Sequence, residues 1–116
     1  MLSGERAVEL DAQRAYAHFR HALDLTSEDE VLRPQLLASL GRVARLLGLG
    51  SEARSYLESA VEEYRRRGDA LGEGESMVRL SAVEWQQGET GRSRELDLHA
   101  IKLLETQPSG QSLAYA

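Results

Sequence analysis

The sequence contains no cysteine, so it has no disulfide framework, no thiolate nucleophile and no cysteine-ligated zinc. Aromatic residues make up only 5% of the chain, and its core must therefore be built mainly from Leu, Ala and Val. Such a core favours closely packed helices over a β-sandwich, which draws on β-branched and aromatic residues.

Long apolar runs and a basic surface are also missing. No apolar stretch approaches the ~20 residues that cross a bilayer, and the chain does not open with a basic segment followed by an apolar run. The net charge of −5 argues against nucleic acid as a partner, because phosphate binding needs a basic surface. We expect a single cytoplasmic domain spanning residues 1–116, with no membrane segment.

What the chain does contain is helical periodicity. Apolar residues recur three and four positions apart and predict about five helices, separated by turns at Gly48-Leu49-Gly50, at Gly68 and at 88–91. Ser51 is expected to cap the third helix, and Ser27 with Glu30 has the spacing of a capping box. The predicted segments are 5–25, 33–67, 72–105 and, as the opening of a further helix, 112–116.

Small residues repeat along the chain with a period near 40. Ala53 lies 38 residues after Ala15 and 40 residues before Ser93, and Gly48 lies 40 residues before Gly88. A period in this range with two helices per unit is typical of a helical solenoid. One helical hairpin cannot bury its own apolar face, so it stacks on the next. The predicted fold class is all-α, a solenoid of stacked helical hairpins.

The unit from Leu37 to Arg67 resembles the tetratricopeptide repeat. The residues that match its signature are Leu37, Leu40, Gly41, Ala53, Leu57 and Ala60. The following unit departs from it at Ser81, Ser93 and Asp97. The resemblance implies antiparallel helix pairs in a right-handed superhelix. The period of this chain is four to six residues longer than the usual tetratricopeptide period, and we assign the additional residues to longer linkers.

Two segments, 64–85 and 103–110, are similar to the repeat region of large actinobacterial regulators. In those proteins an ATPase domain, a tetratricopeptide-like array and a C-terminal LuxR-type DNA-binding domain share one chain. The resemblance implies a regulatory array that is part of a longer protein. Since neither end looks capped, self-association through the ends is the other expectation.

The resemblance also implies a binding groove. In tetratricopeptide-like arrays the first helix of each unit lines a concave surface that binds partners. By position, the groove residues are Gln35, Ala38, Arg42, Arg45, Arg79, Trp85 and Gln86. Arg and Trp dominate binding energy in many interfaces, which favours a protein or peptide partner with an acidic element. The alternative is that Trp85 packs against the neighbouring unit and the arginines are simply solvated.

Sequence motifs for catalysis, cofactors or metals are weak. The loop 88–93 lacks the Lys and the glycine spacing of a phosphate-binding loop. His18 and His21 could share a helix face with Asp24 one turn on, but no other His or Cys lies near them in sequence, and we interpret them as solvated surface histidines. The acidic cluster of Glu58, Glu62 and Glu63 is typical of a solvated outer face paired with arginines. We therefore predict no catalytic, cofactor-binding or metal-binding residues.

The sequence predicts a non-enzymatic interaction scaffold. The alternative function is a small-molecule sensor that binds an inducer in the concave groove. An apolar pocket ringed by Arg42, Arg45 and Arg79 would favour the sensor, and an open, shallow groove would favour the scaffold.

Overall fold

The computed structural model describes residues 4–106. Five helices account for most of them: α1 (Gly4–Leu25), α2 (Arg33–Leu46), α3 (Gly50–Arg66), α4 (Ala70–Gln86) and α5 (Thr90–Glu105). No strand occurs within this range. The prediction of an all-α fold with about five helices is confirmed, while the predicted helix opening at 112–116 lies outside the described residues.

Three turns of one design join α2 to α5. Gly48, Gly68 and Gly88 occupy their centres with φ angles of 76°, 73° and 82°. This left-handed conformation is costly for a residue with a Cβ and is open to glycine. In the first turn the N–H of Leu49 donates to the carbonyl of Ala44 at 2.9 Å, and equivalent bonds close the other two turns. α2, α3 and α4 each end in a Schellman motif.

These glycines stand 20 residues apart, which explains the period of 40. α3 and α4 each contain 17 residues and are joined by three, so a helix with its turn spans 20 positions. The tetratricopeptide repeat has a period of about 34 residues. The expectation that longer linkers account for the difference is wrong, since the turns are short and the helices carry the added length.

Two predicted helix caps are not used. α3 begins at Gly50 with Leu49 as its N-cap and no side-chain cap, so Ser51 lies inside the first turn. α2 likewise follows Leu32 without a side-chain cap, and residues 27–30 form a backbone turn instead of a capping box. The cap that does form is Asp69, whose carboxylate accepts the N–H of Gly72 at 2.9 Å. It starts α4 at Ala70, two residues earlier than the sequence pattern suggested.

The core lies between consecutive helices. Each helix packs against the next in chain order, and α2 also contacts α4. The main apolar cluster joins α2, α3 and α4, and a second cluster formed by Val61, Met77 and Ala100 joins α3, α4 and α5. The alanines at the repeat positions, Ala53, Ala60 and Ala100, are all fully buried. Small side chains at these positions let the helix backbones approach closely.

The two hairpins differ at their tightest contact. In α2–α3, a Cβ on Gly41 would lie 2.3 Å from Cγ of Leu57, so only glycine fits there. In α4–α5 the position of Gly41 is taken by Ser81 and that of Ala53 by Ser93, and their hydroxyl oxygens lie 2.7 Å apart in a buried hydrogen bond. A polar pair therefore replaces the close glycine contact of the preceding hairpin.

Buried carboxylates tie neighbouring helices together. Glu84 of α4 is 1% exposed, and it accepts from Arg54 Nε of α3 at 2.7 Å and from Arg92 Nε of α5 at 2.8 Å. Glu63 of α3 is also buried, and Arg33 Nε of α2 donates to it at 2.9 Å. The interpretation of Glu63 as part of a solvated face is therefore wrong. Each carboxylate sits between two guanidinium groups, which offsets the cost of its burial.

The exposed members of that acidic cluster are paired as the sequence suggested. Glu58 lies 2.9 Å from Arg92 Nη2, and Glu62 lies 3.6 Å from Arg65 Nη1. Both are surface pairs, so each contributes little to stability.

Candidate partner-binding groove

The predicted groove residues line two neighbouring cavities. The first has a volume of about 340 Å³ and lies between α2 and α4. Four of the seven predicted residues line it, from both helices: Gln35, Ala38, Arg42 and Arg79. Since α2 and α4 are in direct contact, their exposed sides form one continuous surface.

The second cavity holds the other three predicted residues. Arg45, Trp85 and Gln86 line a space of about 440 Å³ that reaches from α2 across α4 to α5. Arg45 follows Arg42 by one helical turn, so the two cavities succeed one another along α2. The structure therefore gathers all seven predicted residues on one surface, divided into an Arg42–Arg79 cavity and a Trp85 cavity.

Trp85 lies at the surface in the part of the chain that the structure describes. It is the only tryptophan in the sequence, and its side chain is 65% exposed. The part of the alternative in which Trp85 packs against the neighbouring unit therefore does not hold among the described residues. Its apolar neighbour Val78, also exposed, lines the same cavity.

Within residues 4–106 the groove arginines lack acidic partners, as do Arg66 and Arg94 outside the groove. Arg42, Arg45 and Arg79 form no ion pair with any described residue. The arginines that do form ion pairs are Arg33, Arg54, Arg65, Arg67 and Arg92. Guanidinium groups without a carboxylate keep all their donors available to a ligand.

Tyr64 is a groove residue that the sequence did not reveal. It belongs to α3, and its side chain lines the Arg42–Arg79 cavity between α2 and α4. Gly72 makes room for its ring, because a Cβ at that position would lie 2.4 Å from the ring carbons. Burial raises the pKa of the Tyr64 hydroxyl, with the negative charges of Asp69 and Glu75 adding to the effect. Tyr64 is therefore a neutral hydrogen-bond donor at physiological pH.

The sequence reasoning also missed Ser39, Glu75 and Ser76, which complete the cavity. Glu75 and Ser76 lie on α4 within one turn of Arg79, so the spacing on a helix could have identified them. Tyr64 had no such signal, because the repeat pattern assigns its helix to the other side of the hairpin.

An apolar cavity adjoins the Arg42–Arg79 cavity. It has a volume of about 380 Å³ between α1 and α2, and its apolar wall includes Phe19, Ala22 and Leu36. Gln35 and Ser39 line both spaces. None of the three groove arginines lines this apolar cavity.

The histidines of α1 line neither groove cavity. His18 and His21 are exposed on α1, and the described part of the chain holds no group of three or more side chains able to ligate a metal. Among residues 4–106, no helix combines the length and apolar character needed to cross a membrane.

Comparison with protein-family models, with curated proteins and with solved structures finds no match for this chain.

Proposed function

We propose that this chain is a non-catalytic scaffold that binds a protein or peptide partner through the surface formed by α2 and α4. The partner carries an acidic element that meets Arg42, Arg45 and Arg79. The helices are proposed to form a tetratricopeptide-like right-handed superhelix, with this surface on its concave side.

Three features support the superhelical arrangement. Helices pack in chain order, the first helices of successive hairpins touch, and the turns repeat one geometry at a fixed 20-residue spacing. In a solenoid each unit contacts mainly its neighbours, and its first helices form a continuous binding surface. The contact between α2 and α4 is the one such an array requires.

The observation that carries the function is the gathering of three arginines without an ion pair on one surface. Arginines outside the groove that pair with buried carboxylates stabilise the fold. The three groove arginines have no acidic partner among the described residues. In a chain of net charge −5, the two groove cavities bring three arginines, an exposed tryptophan and the acidic residues Glu75 and Asp97 together, so the arginines outnumber the carboxylates there. Complementary charge steers a partner into register, and Trp and Arg supply binding energy.

The biological role proposed is that of the regulatory array of a signal-responsive transcriptional regulator of the LuxR type. It follows from the similarity of segments 64–85 and 103–110 to the repeats of such regulators. The absence of cysteine from the sequence suits the reducing cytoplasm, where such regulators act.

A small-molecule sensor is the second candidate function, and the volume of the Arg42–Arg79 cavity favours it. The Arg42–Arg79 cavity, at about 340 Å³, falls within the range of small-molecule pockets. Its lining is largely polar, however, and the neighbouring apolar cavity contains no groove arginine. These residues do not form an apolar pocket ringed by arginines, so we prefer the scaffold function.

A charge-matched pair of peptides tests the scaffold. Fluorescence anisotropy would compare a fluorescein-labelled peptide of alternating Glu and Ser with one of alternating Lys and Ser. We expect the Glu peptide to bind and to weaken as salt is raised, because exposed charges are screened. The double variant Arg42→Gln/Arg79→Gln should weaken binding about tenfold or more.

Arg94→Gln is the matched control. Arg94 is exposed on α5 and lines neither groove cavity, so its loss should leave the affinity nearly unchanged. Equal binding of the Glu and Lys peptides, or equal loss in the control variant, would rule the proposed groove out.

A further inference from the structure

The Trp85 cavity places the tryptophan beside one arginine and one carboxylate. Arg45 of α2 and Asp97 of α5 face the same space of about 440 Å³. Neither forms an ion pair with any described residue, and they do not pair with each other within 4.0 Å. Two opposite charges thus share one cavity without neutralising each other.

The repeat identifies Asp97 as a residue that packing does not explain. Position 97 lies 40 residues after Leu57, which is fully buried against Gly41 in the preceding hairpin. Asp97 is exposed. A leucine at this point of the repeat gains free energy from burial, and a carboxylate gives that up. Its presence in a cavity beside an arginine therefore points to a ligand.

The floor of the cavity supplies no competing charge. Ser81 donates to the carbonyl of Ser93 at 3.0 Å, and the two hydroxyls also bond to each other. These groups satisfy one another, which leaves Arg45 and Asp97 as the charged groups that meet a ligand. Trp85 adds an aromatic surface, which attracts cations to its face.

We propose that the Trp85 cavity binds a small zwitterion, a molecule with an ammonium group at one end and a carboxylate at the other. The ammonium group lies against the indole of Trp85 and the carboxylate of Asp97. The carboxylate of the ligand pairs with the guanidinium of Arg45. A ligand of one charge would satisfy only one of these groups and would be repelled by the other.

This inference goes beyond the proposed scaffold function. Asp97 has no role in attracting an acidic partner, because its own charge repels one. The cavity volume lies in the lower part of the range that small-molecule pockets occupy. The zwitterion site can therefore be tested separately from peptide binding.

The only tryptophan of the sequence lines this cavity, so its fluorescence reports directly on occupancy. The 116-residue chain would be titrated with glycine, β-alanine, γ-aminobutyrate and ε-aminocaproate, in which a lengthening methylene chain separates the two charges. We expect a saturable change that is strongest at one length. Butyrate and butylamine, which each carry one of the charges, should give none.

Two variants remove one charge each, Asp97→Asn with the size of the side chain kept and Arg45→Gln with a shorter side chain. Asp97→Asn and Arg45→Gln should each weaken the best zwitterion about tenfold or more, as expected for losing a hydrogen bond to a charged group. Arg42→Gln, in the neighbouring cavity, should leave its affinity unchanged. Circular dichroism would verify that each variant keeps its helices.

Several results would overturn the proposal: no saturable change with any member of the series, butylamine binding as tightly as the best zwitterion, or unaltered affinity in Asp97→Asn. The two proposals fail separately. Asp97→Asn should not weaken the Glu peptide, whereas Arg42→Gln should weaken that peptide and spare the zwitterion.

Discussion

Gly41 and Leu57 form the closest approach between α2 and α3. A Cβ built on Gly41 would lie 2.3 Å from Cγ of Leu57, and Leu57 is fully buried. Because Cγ is a branch point near the backbone, this side chain cannot swing its end away as a long flexible one could. The contact therefore sets how closely the two helices of this hairpin pack.

Gly41→Ala is expected to destabilise the protein by about 1–3 kcal/mol, the usual cost of overpacking a filled core. Alanine favours a helix over glycine by up to about 1 kcal/mol, and this gain offsets only part of the loss. Gly91→Ala is the control. Gly91 lies in α5 with nothing near its missing Cβ, so this change should stabilise by up to about 1 kcal/mol. Chemical denaturation measures both, and equal effects at the two glycines would contradict the close contact.

A second prediction concerns the carboxylate shared by three helices. Glu84→Gln keeps the size of the side chain but removes the charge that Arg54 and Arg92 meet. We expect a loss of about 1–3 kcal/mol in the free energy of unfolding, because two charge-assisted hydrogen bonds weaken while both arginines retain access to water. The measurement is again chemical denaturation.

Glu58→Gln is the matched control for Glu84, since Glu58 also pairs with Arg92 but is exposed. Its loss should change stability by less than about 0.5 kcal/mol. If both variants lost the same stability, burial of Glu84 would not be what makes its pairs strong.

Local chemistry explains what the sequence could and could not predict. Gly48, Gly68 and Gly88 mark the helix ends because the backbone there needs a left-handed residue, and that need is visible in the sequence. Cap choice was harder. Ser51 is a good cap by residue type, but the chain enters the helix at Leu49, and the cap that forms is Asp69.

Residues that depend on tertiary packing were the least predictable. Glu62 and Glu63 are adjacent in the sequence of α3. Only Glu63 pairs with Arg33, which lies 30 positions earlier on α2, and only Glu63 is buried. Tyr64 reaches the groove because Gly72, on the next helix, has no side chain to block its ring. Trp85 could be placed on a helix face from spacing, but its exposure required the positions of α2 and α5.

A third prediction follows from the contact between Tyr16 and Tyr56. Their rings meet edge to face with centroids 6.3 Å apart. Burial raises the pKa of Tyr16 from 10.0 to about 12, helped by its hydrogen bond to Tyr56. In the unfolded chain Tyr16 loses its proton near pH 10, whereas in the folded protein it keeps it to about pH 12. Stability should therefore fall as pH rises through this window.

Tyrosinate absorbance and thermal unfolding measured across that range test the effect. Tyr16→Phe should remove the late-titrating step and flatten part of the alkaline loss of stability. Tyr56→Phe should bring the titration of Tyr16 to lower pH, because it removes the hydrogen bond that holds the hydroxyl protonated. A titration of Tyr16 near pH 10 in the native protein would contradict this account.

The fourth prediction concerns the outer side of α5. Within the described part of the chain, Leu98 and Ile101 are about half exposed and lie three positions apart on one face of this helix. α1 carries exposed apolar residues of its own at Val8 and Leu10. Exposed apolar surface on a helix gains free energy when a second copy covers it. We expect a concentration-dependent dimer, measurable by sedimentation velocity or light scattering, which Ile101→Glu weakens by placing a charge on the contacting face.

Val31→Glu, at an exposed apolar residue of the α1–α2 loop, should leave the dimer intact. A chain that stays monomeric at high concentration, or a dimer that Ile101→Glu does not affect, would show that this face of α5 does not mediate self-association.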